Sequence, residues 1–161
     1  MNGKISLVLL VSMLSLKAWS QTVPEHAFGL RFSGDILYGG SLNYQYSANE
    51  ETRFEFNFGM FEGSDFGATE VQITYQWLFN LYEDFDWYAG GGGNLGFQSI
   101  RETKQNLPFG ASVVGQVGIQ YSLKIPLHIS VDVCPELQII NINGYKPTWL
   151  SLNLGVRYLL F

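Results

Sequence analysis

Residues 148–161 read T-W-L-S-L-N-L-G-V-R-Y-L-L-F, and within them Leu150, Leu152, Leu154, Val156 and Tyr158 alternate with Ser151, Asn153, Gly155 and Arg157. A period of two is the period of a β-strand whose faces meet different surroundings. One face is wholly apolar; the other carries an arginine and an asparagine. In a soluble sandwich the charged face would meet water and the apolar face a core. In a transmembrane barrel the assignment inverts: the apolar face meets lipid and the polar face the lumen. The alternation runs on toward Phe161, which predicts that the chain ends inside its sheet.

The same alternation recurs upstream. Residues 27–33 set Phe28, Leu30 and Phe32 against Gly29, Arg31 and Ser33. Residues 41–47 set Leu42, Tyr44 and Tyr46 against Asn43 and Gln45. In 52–61, Phe54, Phe56, Phe58 and Met60 oppose Arg53, Glu55, Asn57 and Gly59. In 68–79, Val71, Ile73, Tyr75, Trp77 and Phe79 oppose Glu70, Gln72, Thr74 and Gln76. Residues 87–98 are loaded with glycine, and Tyr88 is placed on the lumen face with Gly90, Gly92, Asn94 and Gly96. Glycine in a strand marks a bend or a place where a large neighbour approaches, so Tyr88 is expected to lie over these glycines. The run Gly90-Gly91-Gly92-Gly93 is no phosphate cradle, because neither a helix nor a Lys-Ser/Thr pair follows it. Residues 109–122 and 127–139 continue the pattern, with Pro135 expected at a bulge.

These segments and the terminal one make eight strands. An even number puts both termini on one side, with the turns at 47–52, 80–86 and 123–126. The connections at 34–40, 62–67, 99–108 and 141–147 then lie on the other side. Closure satisfies every ladder hydrogen bond where no water is available. The expected fold is all-β: a closed, eight-stranded, antiparallel up-and-down transmembrane β-barrel with a polar, plugged interior. Tyr158 and Phe161 are three residues apart and so out of phase. That predicts either a bulge near Leu159 or a chain passing one residue beyond its last lipid-facing position.

Residues 1–20 read as an export signal: Lys4, a mostly apolar run from 5 to 16, and small residues around Ala18-Trp19-Ser20. The run is shorter than the ~20 residues a spanning helix needs. The expected division is a signal peptide at 1–20 and one barrel domain at 21–161. Lys4 and Lys17 leave with the signal, so seven basic residues then face fourteen acidic ones. An acidic chain without a basic tract is a poor nucleic-acid binder. The lone cysteine, Cys134, reads as a small buried residue, and two distant histidines, His26 and His128, form no metal cluster. No cofactor is expected.

The stretches V-Q-I-T-Y-Q-W-L-F, D-W-Y-A-G-G-G-G-N-L-G-F, G-I-Q-Y-S-L-K-I-P-L-H-I-S-V-D-V-C-P-E-L and L-G-V-R-Y-L-L-F together resemble the small outer-membrane barrels of Bacteroidota-type bacteria, porin-family and OmpX-like. The resemblance covers nearly the whole chain after the signal. It implies a bacterial outer-membrane location, a monomer among outer-membrane lipids and lipopolysaccharide, and recognition of the C-terminal strand by the barrel assembly machinery. For most such proteins it implies no assigned activity.

A closed eight-stranded barrel is filled by its own side chains. The inward charged set is Arg31, Arg53, Glu55, Glu70, His128, Asp132, Glu136 and Arg157. Unpaired charges there would be costly, so an ion-pair network is expected, with Arg157 and Arg31 bridging the seam to Asp132 or Glu136. His128-Ile129-Ser130 places a histidine and a serine on one face and resembles the H-x-S of outer-membrane lipid A deacylases, with Asp132 or Glu136 as the orienting acid. Both side chains have lumen parity and follow the turn on the terminal side, away from an acyl substrate in the outer leaflet. A soluble ligand-binding barrel is the other alternative; it would turn Tyr44, Tyr46, Phe54, Phe56, Phe58 and Tyr75 inward. The preferred reading is a non-enzymatic barrel with a structural or surface-interaction role, in which Arg101 and Lys104 of the longest polar connection could meet lipopolysaccharide phosphates.

Overall fold

A computed structural model describes residues 25–34, 38–62, 66–100, 108–145 and 149–160. The segment expected to be a signal peptide, and Arg101 and Lys104, lie outside the described residues. Eight strands follow one another: β1 His26–Gly34, β2 Tyr38–Ser47, β3 Thr52–Glu62, β4 Phe66–Tyr82, β5 Phe85–Ile100, β6 Phe109–Ser122, β7 Leu127–Ile142 and β8 Leu150–Leu160. Each pairs antiparallel with its sequence neighbour, and β8 returns to pair with β1, closing the barrel. Every strand therefore has two partners, and the sheet has no free edge.

The strict period of two decides which atoms meet which medium. Phe28, Leu30, Phe32, Phe56, Phe58, Ile73, Leu95, Val117, Val131, Leu152 and Leu154 all point outward and are exposed. Arg31, Arg53, Glu55, Asp132 and Arg157 point inward and are buried. The aromatic set that a soluble barrel would need inside, with Phe54, Phe56 and Phe58 in it, lies on the exterior, which rules out that alternative. Near the end that carries both termini, outward aromatics pair in rows: Phe28 with Tyr44, Phe54 with Tyr75, Tyr75 with Trp77, Phe79 with Trp87 and Phe85 with Tyr121, at centroid distances of 4.3–5.0 Å. All but Tyr75–Trp77, neighbours along β4, are cross-strand pairs, which stabilise a sheet face beyond the burial of their area.

Two local expectations are corrected, and of the two alternatives at the C-terminal strand one drops out. The strands run further than the alternation alone suggested, so the turn expected at 80–86 shrinks to Glu83-Asp84, with a register shift between Asn80 and Tyr82 and Glu83 at φ 42°. Pro135 is not at a bulge. Pairing lapses opposite it and resumes in the same register, because proline has no N–H to give the ladder. The shift in β7 falls instead between Gln138 and Ile140, opposite Ser112 and Ala111. β8 carries no bulge near Leu159: it pairs without interruption from Leu152 to Leu160, and Leu159 turns inward.

The closing seam leaves little room. A Cβ on Gly29 would collide with the backbone of Val156 and Arg157, whereas one on Gly34 in the same strand would meet nothing within 4 Å. Gly29→Val is expected to abolish the compact, heat-shifting form of the detergent-folded protein on gels, while Gly34→Val leaves it intact. Equal behaviour of the two variants would show that the seam is not what limits closure.

Candidate functional site

The lumen is the place where chemistry-bearing side chains converge. Alternate residues of β3 send in Arg53, Glu55 and Asn57; β1 sends Arg31, β7 Ser130 and Asp132, and β8 Asn153 and Arg157. Glu55 is the centre. Its Oε2 accepts from Arg157 Nη2 at 3.0 Å and from Gln45 Nε2 at 2.6 Å. Its Oε1 accepts from Asn57 Nδ2 at 3.1 Å and from Gln116 Nε2 at 3.2 Å, and lies 3.8 Å from Arg31 Nη1. Arg157 also donates to Asn43 Oδ1 through Nε and to Ser130 Oγ through Nη1 at 2.6 Å. All three polar nitrogens of that guanidinium are therefore engaged.

Asp132 is a second acceptor centre. Its Oδ1 takes Arg31 Nη2 at 2.5 Å and Asn153 Nδ2 at 3.0 Å, and its Oδ2 takes the Tyr88 hydroxyl at 2.9 Å. Arg53 has no carboxylate partner among the described ion pairs. It donates to Gln76 Oε1 and Gln120 Oε1, both at 2.5 Å, and its guanidinium stands 4.7 Å from the Tyr88 ring centroid. The ring thus stacks under a cation, and Tyr88 covers Gly118 of the next strand rather than the glycines of its own. Cys134 is buried beside Arg31 and Asp132.

This plug separates two cavities. A cavity of about 40 Å³ on the side of the longer connections is lined by Arg31, Asn57, Glu70, Gln72, Cys134 and Glu136, among others. One of about 230 Å³ on the terminal side is lined by Gln45, Arg53, Asp86, Gln120, Ser122 and His128, among others. Of the bridges expected across the seam, Arg31 makes the one to Asp132, but Arg157 goes to Glu55, and Glu136 turns to Asn94 instead of to either arginine. His128 and Ser130 share a face without forming a pair. His128 Nε2 bonds Ser122 Oγ at 3.0 Å, and Ser130 Oγ is held by Arg157. A nucleophilic serine needs a base at its oxygen, and here it meets a guanidinium donor instead.

Tyr145 is a lumen residue that the alternation could not reveal, because it lies past β7. Asn143 and Gly144, at φ 59° and 78°, turn the chain back, and the ring seats on Gly96 and Gly110, directly paired residues of β5 and β6. A Cβ on either glycine would overlap the ring. The hydroxyl donates to Glu70 Oε1 at 3.0 Å, and Asn141 Nδ2 donates to the Tyr145 carbonyl at 2.9 Å. Burial, with Glu70 beside it, holds the phenol well above the ordinary tyrosine range, so it remains a donor. The uncharged partners Asn43, Gln45, Gln76 and Gln116 were within reach of the parity argument, since each has inward parity in its strand.

Removing Glu55 leaves Arg31 and Arg157 buried with too few acceptors. Glu55→Ala is expected to lower unfolding free energy by about 3–5 kcal/mol, the usual cost of stripping one partner from a buried pair, with Glu55→Gln milder. Urea titration followed by tryptophan fluorescence measures both; a loss under about 1 kcal/mol for the alanine variant would deny Glu55 its central place.

No family model matches the chain, and no curated protein does. Solved structures do. The N-terminal β-barrel domain of Pseudomonas aeruginosa OprF superposes at TM-score 0.66 and 12% identity, over 83% of this chain and 95% of that one. Neisserial surface protein A superposes at 0.65 and 11%, over 84% and 95%. Ail, the attachment invasion locus protein of Yersinia pestis, superposes at 0.54 and 17%, over 83% and 95%. At these identities the likeness is one of fold: the chain has the architecture of small eight-stranded outer-membrane β-barrels.

Proposed function

We propose that this chain is an integral, monomeric barrel of a bacterial outer membrane, closed to bulk solute, with a structural or surface-interaction role carried by its longer connections. One observation carries the reading. The exterior is an apolar belt with aromatic pairs near one rim, and the lumen is crossed by a hydrogen-bonded plug centred on Glu55. An exposed apolar surface of that extent is unfavourable in water and favourable in hydrocarbon, where ladder closure also removes unpaired backbone groups. Among the described residues the plug lies between two separate lumen cavities, which supports a role other than diffusion of solutes.

On the sequence pattern we assign the chain to the Bacteroidota-type, OmpX-like barrels. The short turns at 48–51, 83–84 and 123–126 would then face the periplasm, and the longer connections the cell exterior. Arg101 and Lys104, on one of those connections, would meet lipopolysaccharide phosphates. The outward, apolar row of β8 would be read by the assembly machinery. The role needs no catalytic residue and no cofactor.

Two measurements test this. In cells, the protein is expected in the outer-membrane fraction, with gel mobility that changes on boiling; recovery in the soluble periplasm would sink the proposal. In planar bilayers the folded protein is expected to show no steady conductance. Phe56 lies midway along β3, so Phe56→Arg is expected to destabilise the lipid-embedded barrel by about 2–4 kcal/mol, the penalty for arginine near a bilayer midplane. A neutral effect would mean that this face does not see hydrocarbon.

A further inference from the structure

The four consecutive glycines of β5 divide by what stands next to them. A Cβ on Gly90 or Gly92, which face the lumen, would collide with the backbone of β4. A Cβ on Gly91 or Gly93, which face outward, would meet Val114 O at 3.4 Å and Ser112 O at 3.7 Å, both ordinary contacts. Packing within the protein therefore accounts for Gly90 and Gly92 but not for Gly91 and Gly93. Glycine inside a strand costs stability, and it marks a bend or a place where something approaches the backbone closely.

Gly91 and Gly93, with Ala111 of β6, floor a trough of about 530 Å³ on the outer wall of the barrel. Ile73 and Tyr75 of β4 rise on one side of it and Ile140 of β7 on the other. The register shift in β7 falls at this wall and leaves the consecutive Ile139 and Ile140 both exposed. Asn94 and Ser112 also border the trough, but their side chains are buried on the lumen face. No charged residue lines it among those described, and the backbone of its floor is committed to the ladder. Gly91 is the midpoint of the β5 stretch that pairs with β6 from Phe85 to Phe97. The trough thus lies in the half of the wall nearer the longer connections.

We propose that this trough holds one acyl chain of a lipid from the leaflet on the side of the longer connections, an inference that rests on the membrane reading above. The trough is continuous with the exposed apolar belt, whose medium on that reading is acyl chains. Lipid tails are as apolar as the belt, so apolarity alone selects no neighbour there; selection comes from van der Waals fit. A convex wall touches a chain along one side, whereas the trough touches it from below and along both flanks. Left empty, the trough would forgo those contacts. A second barrel fits poorly, because a two-fold contact would set trough against trough and enlarge the void.

Native mass spectrometry of the barrel extracted from outer membranes in mild detergent is expected to show a single retained lipid. Gly91→Leu/Gly93→Leu fills the trough, and retention is expected to fall about tenfold or more. Heat-dependent gel migration should persist in that variant, because both positions have room for a side chain. Ile140→Ala, which lowers one wall and adds no bulk, should weaken retention in part. Leu42→Phe, at an exposed position on β2, should leave it unchanged. A wild-type barrel recovered from outer membranes without lipid overturns the inference and leaves the membrane reading standing; recovery in the soluble periplasm sinks both. Unchanged retention in the folded leucine variant also overturns it, as does equal loss in Leu42→Phe. A lipid-free dimer that the leucine variant disrupts would make the trough a protein contact instead.

Discussion

Glu55 ties the barrel together from inside. Its two oxygens accept from β2, β3, β6 and β8 and face a guanidinium from β1. An eight-stranded closed sheet encloses only enough space for its own side chains, so whatever points inward must satisfy its neighbours there. A carboxylate inside that space is tolerable because two arginines oppose it and amides occupy its other lone pairs. The same arginines reach outward from Glu55: Arg31 carries the network to Asp132 and Tyr88, and Arg157 carries it to Asn43 and Ser130. Seven of the eight strands thus share one hydrogen-bonded cross-section, and the two cavities lie on either side of it.

Glycine and tyrosine complete this interior by shape. Tyr88 lies over Gly118, and Tyr145 lies over the Gly96–Gly110 pair, so one ring fills the space of one missing side chain and the other that of two. The two tyrosines also supply hydroxyl donors to carboxylates of the lumen, the buried Asp132 in one case and the half-buried Glu70 in the other. The consequence is a division of the acids. Glu55 and Asp132 are neutralised by arginine within the plug, whereas the donors described for Glu70 and Glu136, among the described residues, are neutral. That asymmetry makes the outer mouth a different chemical environment from the middle of the lumen.

Much of this was legible from residue parity alone. Phe54, Phe56 and Phe58 against Arg53, Glu55 and Asn57 state which atoms go out and which go in, because a strand offers only two faces. The even strand count and the placement of the long connections follow from the same pattern. Misplaced features were those where the chain leaves that pattern. Pro135 looked like a bulge, but a missing N–H opens a ladder without shifting it. The true shift near Ile139 falls among apolar residues that carry no local mark. Tyr145 follows a left-handed turn and returns across the barrel mouth, a path no periodicity encodes.

By itself, then, the sequence determined the strand set, the two faces and the closed, inverted character of the barrel, because each rests on alternation and on the requirement that every backbone group be paired. Only the tertiary structure decided which charges meet. Arg157 with Glu55 and Arg31 with Asp132 are pairings between residues 102 and 101 positions apart. They are set by barrel stagger and by how far each side chain reaches across the lumen. Parity placed Glu70, Asn94 and Glu136 on the inner face. Their convergence comes from the curvature of the β4–β7 wall, which aims side chains from three strands at one point.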